Sequence, residues 1–298
     1  MKTKHMLVLI ALLSLFSCGR NEKTADAYGN FEATEITVSA EASGKIMNLN
    51  LEEGQVYDSG QLVGNIDSTD LVLKKLQLTN QLNALESKRL NLNAQADVYQ
   101  QQRANTLIDK QRIERLLKDG AATQKQFDDI SSSLRLIDKQ ELLVNSLFTG
   151  LSAETEALKA QISQVKESIK RCAIRVPIKG TALARYAEQG ELLAYGKPVF
   201  KIADMNKMTL KAYFSGDQMA SFKLGDKVEV LIDKNETEKT SVEGMVSWIS
   251  SEAEFTPKII QTKKERVNMV YAVKIAVENN GMLKIGMPGE VVLATAAK

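Results

Sequence analysis

Histidine is almost missing from this chain: His5 is the sole copy among 298 residues. Histidine is the commonest general base and metal ligand near neutral pH. Its scarcity points away from an enzyme and from a resident metal or cofactor. Cysteine is nearly as rare, with Cys18 and Cys172 the only two. If Cys18 is modified, no disulfide can form within the chain. Cys172 precedes Ala173 and Ile174 at a helix-to-strand junction and reads as a small buried hydrophobe rather than a reactive thiol. Proline occurs four times and never between Thr69 and Arg171. Neither charge dominates, with 39 basic and 37 acidic side chains. A nucleic-acid partner would require a basic face, so none is expected. The one long apolar run, Met6 to Phe16, spans about eleven residues, whereas crossing a bilayer takes ~20.

That run belongs to an N-terminal signal. Lys2 and Lys4 precede it, and Leu15-Phe16-Ser17-Cys18 follows. A basic flank, a short apolar core and a small residue before the cut are the parts of a secretory signal. The Leu-x-Ser-Cys ending resembles a bacterial lipobox, which implies that Cys18 becomes the acylated N-terminus. Cleavage would remove His5 and two lysines and leave the remaining chain formally neutral.

Past the signal, residues 44–66 recur at 180–202 with a constant offset and no gap. Gly44, Glu52, Gly54, Gly60, Val63 and Ile66 reappear as Gly180, Glu188, Gly190, Gly196, Val199 and Ile202. Turn glycines between short apolar runs are the pattern of small twisted strands. Two such halves would pair into one compact β unit. Whatever lies between them must leave and return at the same place, so it must be a hairpin.

The intervening segment is rich in Leu, Gln, Asn, Lys, Glu and Ala, mostly good helix formers. In its second half Ile130, Ile137, Val144, Leu151, Leu158 and Val165 recur every seventh residue. Leu134, Phe148, Ile162 and Ile169 fill the companion seam, with Glu141 and Thr155 as polar exceptions. In the first half Leu71, Leu78, Leu85, Leu92 and Tyr99 keep the spacing, Thr106 interrupts it and Ile113 resumes. A sustained heptad predicts left-handed coiled-coil packing of two arms, each roughly 70 Å long. Gly150 reads as a tolerated helical glycine or the site of a bend. Near the midpoint, Gly120 suits a helix C-terminus and Thr123 an N-cap ahead of Gln126.

After Asp204 the chain alternates in the manner of strands over Thr209–Phe214, Lys227–Ile232, Val242–Ile249, Val270–Val277 and Glu290–Leu293. With an early strand near Phe31–Ser39, these predict a small antiparallel barrel. Pro288-Gly289 reads as a turn before the last strand. Lys258, Lys263, Lys264 and Arg266 form a basic loop that either contacts a transporter or headgroup or is simply solvated.

The paired half-motifs, the run Cys172–Gly180, the stretch from Val246 through Trp248 to Pro257 and Arg266, and Gly286-Met-Pro-Gly289 together resemble the HlyD-like periplasmic adaptor (membrane-fusion) proteins. The adaptors of ABC-type exporters are the nearest in character. The resemblance implies an α+β fold: a split biotinyl/lipoyl-like β domain with an inserted α-helical coiled-coil hairpin, plus a small antiparallel β-barrel. It implies the boundaries 1–17 signal, 18–30 linker, 31–67 first lipoyl-like half with a leading barrel strand, 68–171 hairpin, 172–204 second half and 205–298 barrel. Carrier domains of that fold bear a modified lysine on a tight hairpin, the place the helical arms take here. Lys45 and Lys197 lie elsewhere in the repeats, so no cofactor is implied. Many adaptors continue into a membrane-proximal domain, which this chain is expected to lack or to keep as a remnant.

At the tip Arg112, Leu116 and Thr123 resemble the Arg–Leu–Ser motif with which such adaptors engage a TolC-like outer-membrane channel, with Thr in place of Ser. The same residues also fit a helix cap beside a solvated charge. The implied partners are an inner-membrane transporter, an outer-membrane channel, further copies of the chain in a ring of six, and a bilayer reached through the acyl anchor. Rival readings are an acyl-carrier component, an adaptor of a proton-driven pump and a structural coiled-coil envelope lipoprotein.

Overall fold

The computed structural model describes residues 25–235, 238–255 and 269–293. The sequence repeat becomes a symmetric pair of sheets. The strands are β2 (Glu35–Ser39), β3 (Gly44–Leu49), β4 (Val56–Tyr57), β5 (Leu62–Ile66), β6 (Ala173–Arg175), β7 (Gly180–Arg185), β8 (Leu192–Leu193) and β9 (Pro198–Ala203). One sheet has the order β2-β9-β7-β4 and the other β6-β5-β3-β8. Each half supplies two adjacent strands to one sheet and lends edge strands to the other. Backbone hydrogen bonds repeat with the same symmetry. Gly54 donates to the Ala182 carbonyl at 2.8 Å and Gly190 to that of Ile46 at 2.9 Å. The exchange makes the halves interdependent, so neither has a complete core alone. The shared core holds Ile46, Leu51, Ile66, Leu193, Phe200 and Ile202, each almost fully buried. Gly180 belongs to this packing, because a Cβ there would overlap the Ala203 carbonyl.

The insertion leaves β5 and returns into β6, which pair with each other. The Ile66 amide donates to the Cys172 carbonyl at 2.8 Å. Exit and return therefore share one edge, as the split repeat requires. Between them run α1 (Thr69–Lys118, 50 residues) and α2 (Gln124–Arg171, 48 residues), roughly 75 and 72 Å long. The heptad reading holds along both. Leu78 and Leu92 are buried on α1, and Leu134, Val144, Leu151 and Ile162 on α2. The remaining seam positions, including Ile137, Leu158 and Tyr99, are half-buried. A two-helix coil shields only one stripe of each helix, so most seam side chains keep an open flank.

Glu141 breaks the apolar seam for a reason that only the pairing reveals. Arg103 of α1 reaches across the hairpin to Asp138 at 2.7 Å and Glu141 at 3.7 Å. The hydrogen bond that Arg103 donates to Asp138 holds its guanidinium above the ordinary pKa. The pair is exposed, so it contributes more to register than to stability. Gly150 lies within the unbroken helix α2, and a Cβ there would meet no atom within 4 Å. Gly150→Ala should therefore stabilise the hairpin by about 0.5–1 kcal/mol. Circular-dichroism melts would show a higher helical midpoint, and a lower one would mean that the glycine serves a bend.

The second unit is a closed antiparallel barrel of order β1-β10-β13-β12-β11-β14. Its strands are β1 (Ala27–Glu32), β10 (Lys207–Ser215), β11 (Lys227–Asp233), β12 (Lys239–Phe255), β13 (Met269–Glu278) and β14 (Pro288–Val292). Along β10 the period-2 pattern turns Met208, Leu210, Ala212 and Phe214 inward against Phe31, Val230 and Ile275. Two sequence expectations need correction. The strand expected near Phe31–Ser39 is two strands: β1 begins earlier and joins the barrel, whereas β2 joins the sandwich. The break at Ala33-Thr34 is where the chain changes domain, and residues of similar strand propensity flank it on both sides. Pro288-Gly289 is not the turn but the start of β14, paired with Asn30 and Gly29. Proline is tolerated there as the first residue of a strand, and the turn lies at Gly286, whose amide donates to Phe31.

Candidate docking site at the hairpin tip

The tip is built from two helix ends that satisfy their own backbone. α1 closes with Gly120 at φ 71°. The Gly120 amide donates to Leu117 at 3.1 Å and the Ala121 amide to Leu116 at 2.8 Å. This is the Schellman arrangement, which only a residue free to adopt the left-handed conformation completes easily. α2 opens with a capping box. The Thr123 hydroxyl accepts from the Gln126 amide at 3.3 Å, and the Gln126 side chain accepts from the Thr123 amide at 2.8 Å. The same hydroxyl also lies 3.1 Å from Gln126 Oε1, as its donor.

Arg112 and Leu116, one helical turn apart, share an outward face of α1. Leu117 and Ile113 are half-buried instead, as is Phe127 of α2, whose ring lies beneath Lys110 at 5.7 Å. Leu116 is thus an exposed apolar side chain at the tip, not part of the hairpin interior. Arg112 is exposed and makes one ion pair, to Asp109 at 3.2 Å one turn back. An exposed pair of that kind is worth at most about 1 kcal/mol and yields readily to a better partner. The structure therefore brings Arg112 and Leu116 together on a free surface. Thr123 lies past the Gly120 turn, at the start of α2, with its hydroxyl already used by the cap. Sequence reasoning did not find the Arg103–Asp138 bridge, whose only signal was a charge facing a polar interruption of the heptad.

At the other end of the hairpin, Ser68 is the N-cap of α1, and Asp67 just before it serves the first helical residue. It accepts from the Thr69 amide at 2.9 Å and the Thr69 hydroxyl at 2.6 Å, and these bonds hold its carboxyl below the ordinary range. Cys172 is buried at the return, and burial pushes its thiol pKa up. A protonated, buried thiol is a packing group. Cys18 and the basic residues Lys258, Lys263, Lys264 and Arg266 lie outside the described residues.

A sandwich of two exchanged half-repeats, with a helical hairpin inserted between them, is a specific arrangement. Residues 34–205, more than half of the chain, match the family model described as the RND MFP, barrel-sandwich hybrid domain. The chain belongs to that family. Its relatives include a UPF0194 membrane protein of Acidithiobacillus ferridurans, 24% identical over 292 residues, covering 90% of this chain and 86% of its own. Another, from Yersinia pseudotuberculosis serotype IB, is 23% identical over 329 residues and covers 94% of each. The crystal structure of MacA from Actinobacillus actinomycetemcomitans shares the fold, with a TM-score of 0.55, 21% identity, and coverage of 89% of this chain and 76% of that one. So does the membrane fusion protein Spr0693 from Streptococcus pneumoniae R6, with a TM-score of 0.55, 14% identity, and coverage of 91% and 98%. The membrane-fusion, or periplasmic adaptor, family expected from the sequence is thus the right one. The model that matches carries the RND label rather than that of the HlyD, ABC-exporter branch.

Proposed function

We propose that this chain is the lipid-anchored periplasmic adaptor of a tripartite exporter. The barrel end sits on an inner-membrane transporter, ABC-type in the favoured reading, and the hairpin reaches toward a TolC-like outer-membrane channel. Copies pack side by side into a ring, six by family resemblance. The role is mechanical: the transporter supplies energy, and the adaptor seals and spans. The observation that carries this reading is the hairpin itself. Two arms of roughly 70 Å leave one sheet edge and end in a capped tip that presents Arg112 and Leu116 to solvent. A rod of that kind suits spanning and docking, and it offers no catalytic constellation.

The RND label of the matching family supports a second reading, in which the partner is a proton-driven pump. Copurification from membranes with crosslinking decides between the two. Recovery of an ATP-binding transporter supports the first, and recovery of a proton-coupled pump the second.

Anchoring has its own test. The mature protein should fractionate with membranes, those of the inner envelope in the favoured reading, and take up labelled fatty acid. Cys18→Ala should abolish the label, and persistent labelling of that variant would remove the lipoprotein claim. Two or more acyl chains bind far more firmly than one, so the variant should also shift from the membrane to the soluble fraction.

A further inference from the structure

Each helix of the hairpin carries a second heptad on the side turned away from its partner. On α1 it runs Leu73, Leu76, Asn80, Asn83, Ser87 and Leu90 and reaches Ala94. On α2 it runs Leu143, Ser146, Gly150, Ala153, Ala157 and Ala160 and reaches Gln164. Steps of three and four alternate without a slip, as they do in the buried seam. Every one of these positions is exposed, and Leu73, Leu76, Leu90 and Leu143 lie between 54% and 61%. None bears a charge, although 26% of the chain is charged. Asp97 ends the first stripe, and Lys139 and Glu167 bound the second. The solvated face of a helix is ordinarily where its charges lie, whereas charge is depleted where a surface meets a partner.

The two stripes differ in bulk. That of α1 presents mainly leucine and asparagine, and that of α2, from Ser146 to Ala160, only serine, glycine and alanine. Gly150 is not required by its own hairpin, since a Cβ there would meet no atom within 4 Å. A mid-helix glycine weakens its helix, and the close approach of a neighbour gives it a use. The Arg103–Asp138 bridge sets the height of one helix against the other. At that setting Leu90 stands level with Gly150, Ser87 with Ala153, Asn83 with Ala157 and Asn80 with Ala160, each to within one residue of chain. Larger side chains on one back thus match smaller ones on the other, layer by layer, which is how knobs enter holes. The matched stretches, Leu76 to Ala94 and Ser146 to Gln164, are roughly 27 Å long.

We propose that the back of α1 in one copy packs against the back of α2 in the next, with the two copies at the same height. This rests on the reading above that copies stand side by side on one membrane, and it gives them a contact. Gly150 lies roughly 39 Å along α2 from the tip and 32 Å from the base, so the occupant must be a rod beside the middle of the shaft. A second copy supplies a helix of the right length, direction and register at that height. The two stripes are unlike, so the contact is head-to-tail rather than two-fold. Leu90 of one copy enters the space that Gly150 leaves in the other. Each helix uses opposite sides for its two seams, so the contact leaves the hairpin intact and repeats from copy to copy.

Ser87→Cys and Ala153→Cys report this contact in the full chain on its membrane. Within one hairpin the two positions stand on opposite outer sides, roughly 14 Å apart, about twice the reach of a disulfide. On oxidation, copies with Ser87→Cys expressed together with copies carrying Ala153→Cys should give a crosslinked dimer, and either variant alone should not. A chain carrying both should give a ladder of multimers. Gly150→Leu should leave circular dichroism unchanged, because its side chain meets open space in a lone hairpin, and should reduce the crosslink about tenfold. Leu90→Ala in the neighbouring copy should restore it. Gly150→Ala should weaken the crosslink even as it raises the helical melting midpoint. Absence of the mixed crosslink would overturn the proposal. So would a dimer of Ser87→Cys alone, which would mean a two-fold contact, or a crosslink to a different protein in its place. The readout uses neither export nor a channel. A failed crosslink with a transporter still copurifying would leave the adaptor reading standing.

Discussion

Val144→Asp should open the hairpin at its middle and leave both β units folded. Val144 is among the most deeply buried residues of α2, more so than Ile137 or Leu158 at equivalent heptad positions. An aspartate there must give up water without a partner, which costs roughly 3 kcal/mol or more. The lost valine contacts add to that. Few long-range contacts outside the hairpin depend on this layer, because the helices join the sandwich only at β5 and β6. The coil therefore has no other element to share the strain. The two helices hold about a third of the chain, so far-ultraviolet circular dichroism would register their loss or fraying. Tryptophan emission from the distant barrel should stay constant. Export should fall to the level of a strain lacking the protein. Ile137→Asp or Leu158→Asp should act in the same direction and less severely. Full helicity together with full export in Val144→Asp would contradict the seam.

The sandwich and the hairpin were legible in the sequence because both rest on strict periodicities. A repeat with constant offset forces equal halves, and its recurring turn glycines fix where the chain reverses. What the repeat could not disclose was the strand exchange, in which β4 joins the sheet of β7 and β8 that of β3. Two-residue edge strands leave no alternation to read. The heptad gave the packing stripe of α2 almost residue by residue. It gave less on α1, where Arg103 and Lys110 occupy companion positions and meet partners on the other helix. Interhelical pairs need register, and register is absent from either half alone. β1 was misplaced for a similar reason. Alternation continues from Ala27 to Ser39, and only tertiary pairing shows that the first part belongs to one domain and the second to another. At the tip the caps were readable, since capping is local chemistry. Which side of α1 remained open was harder to read, because Leu117 continues the companion series only through the polar Arg103 and Lys110, and Leu116 lies beside it.

That open side sets up the remaining test. Arg112→Asp should leave the protein folded, because it replaces one exposed ion pair with a mild like-charge contact to Asp109, a change of well under 1 kcal/mol. It should nevertheless weaken docking to the channel on the order of thirtyfold, the effect of about 2 kcal/mol at an interface where charge sign matters. Leu116→Ser should act the same way through lost apolar contact, since its side chain is not needed inside the hairpin. Thr123 separates cap from contact. Thr123→Ser keeps the capping box and should be nearly silent. Thr123→Ala loses the hydroxyl that serves Gln126 and should cost about 1 kcal/mol of local stability. If Thr123→Ala weakens crosslinking to the channel only as far as it frays the turn, the threonine acts by positioning the tip. Arg112 and Leu116 would then be the contact. Normal export and crosslinking with Arg112→Asp would make these residues helix-end chemistry alone, and the hairpin would then serve a partner other than an outer-membrane channel.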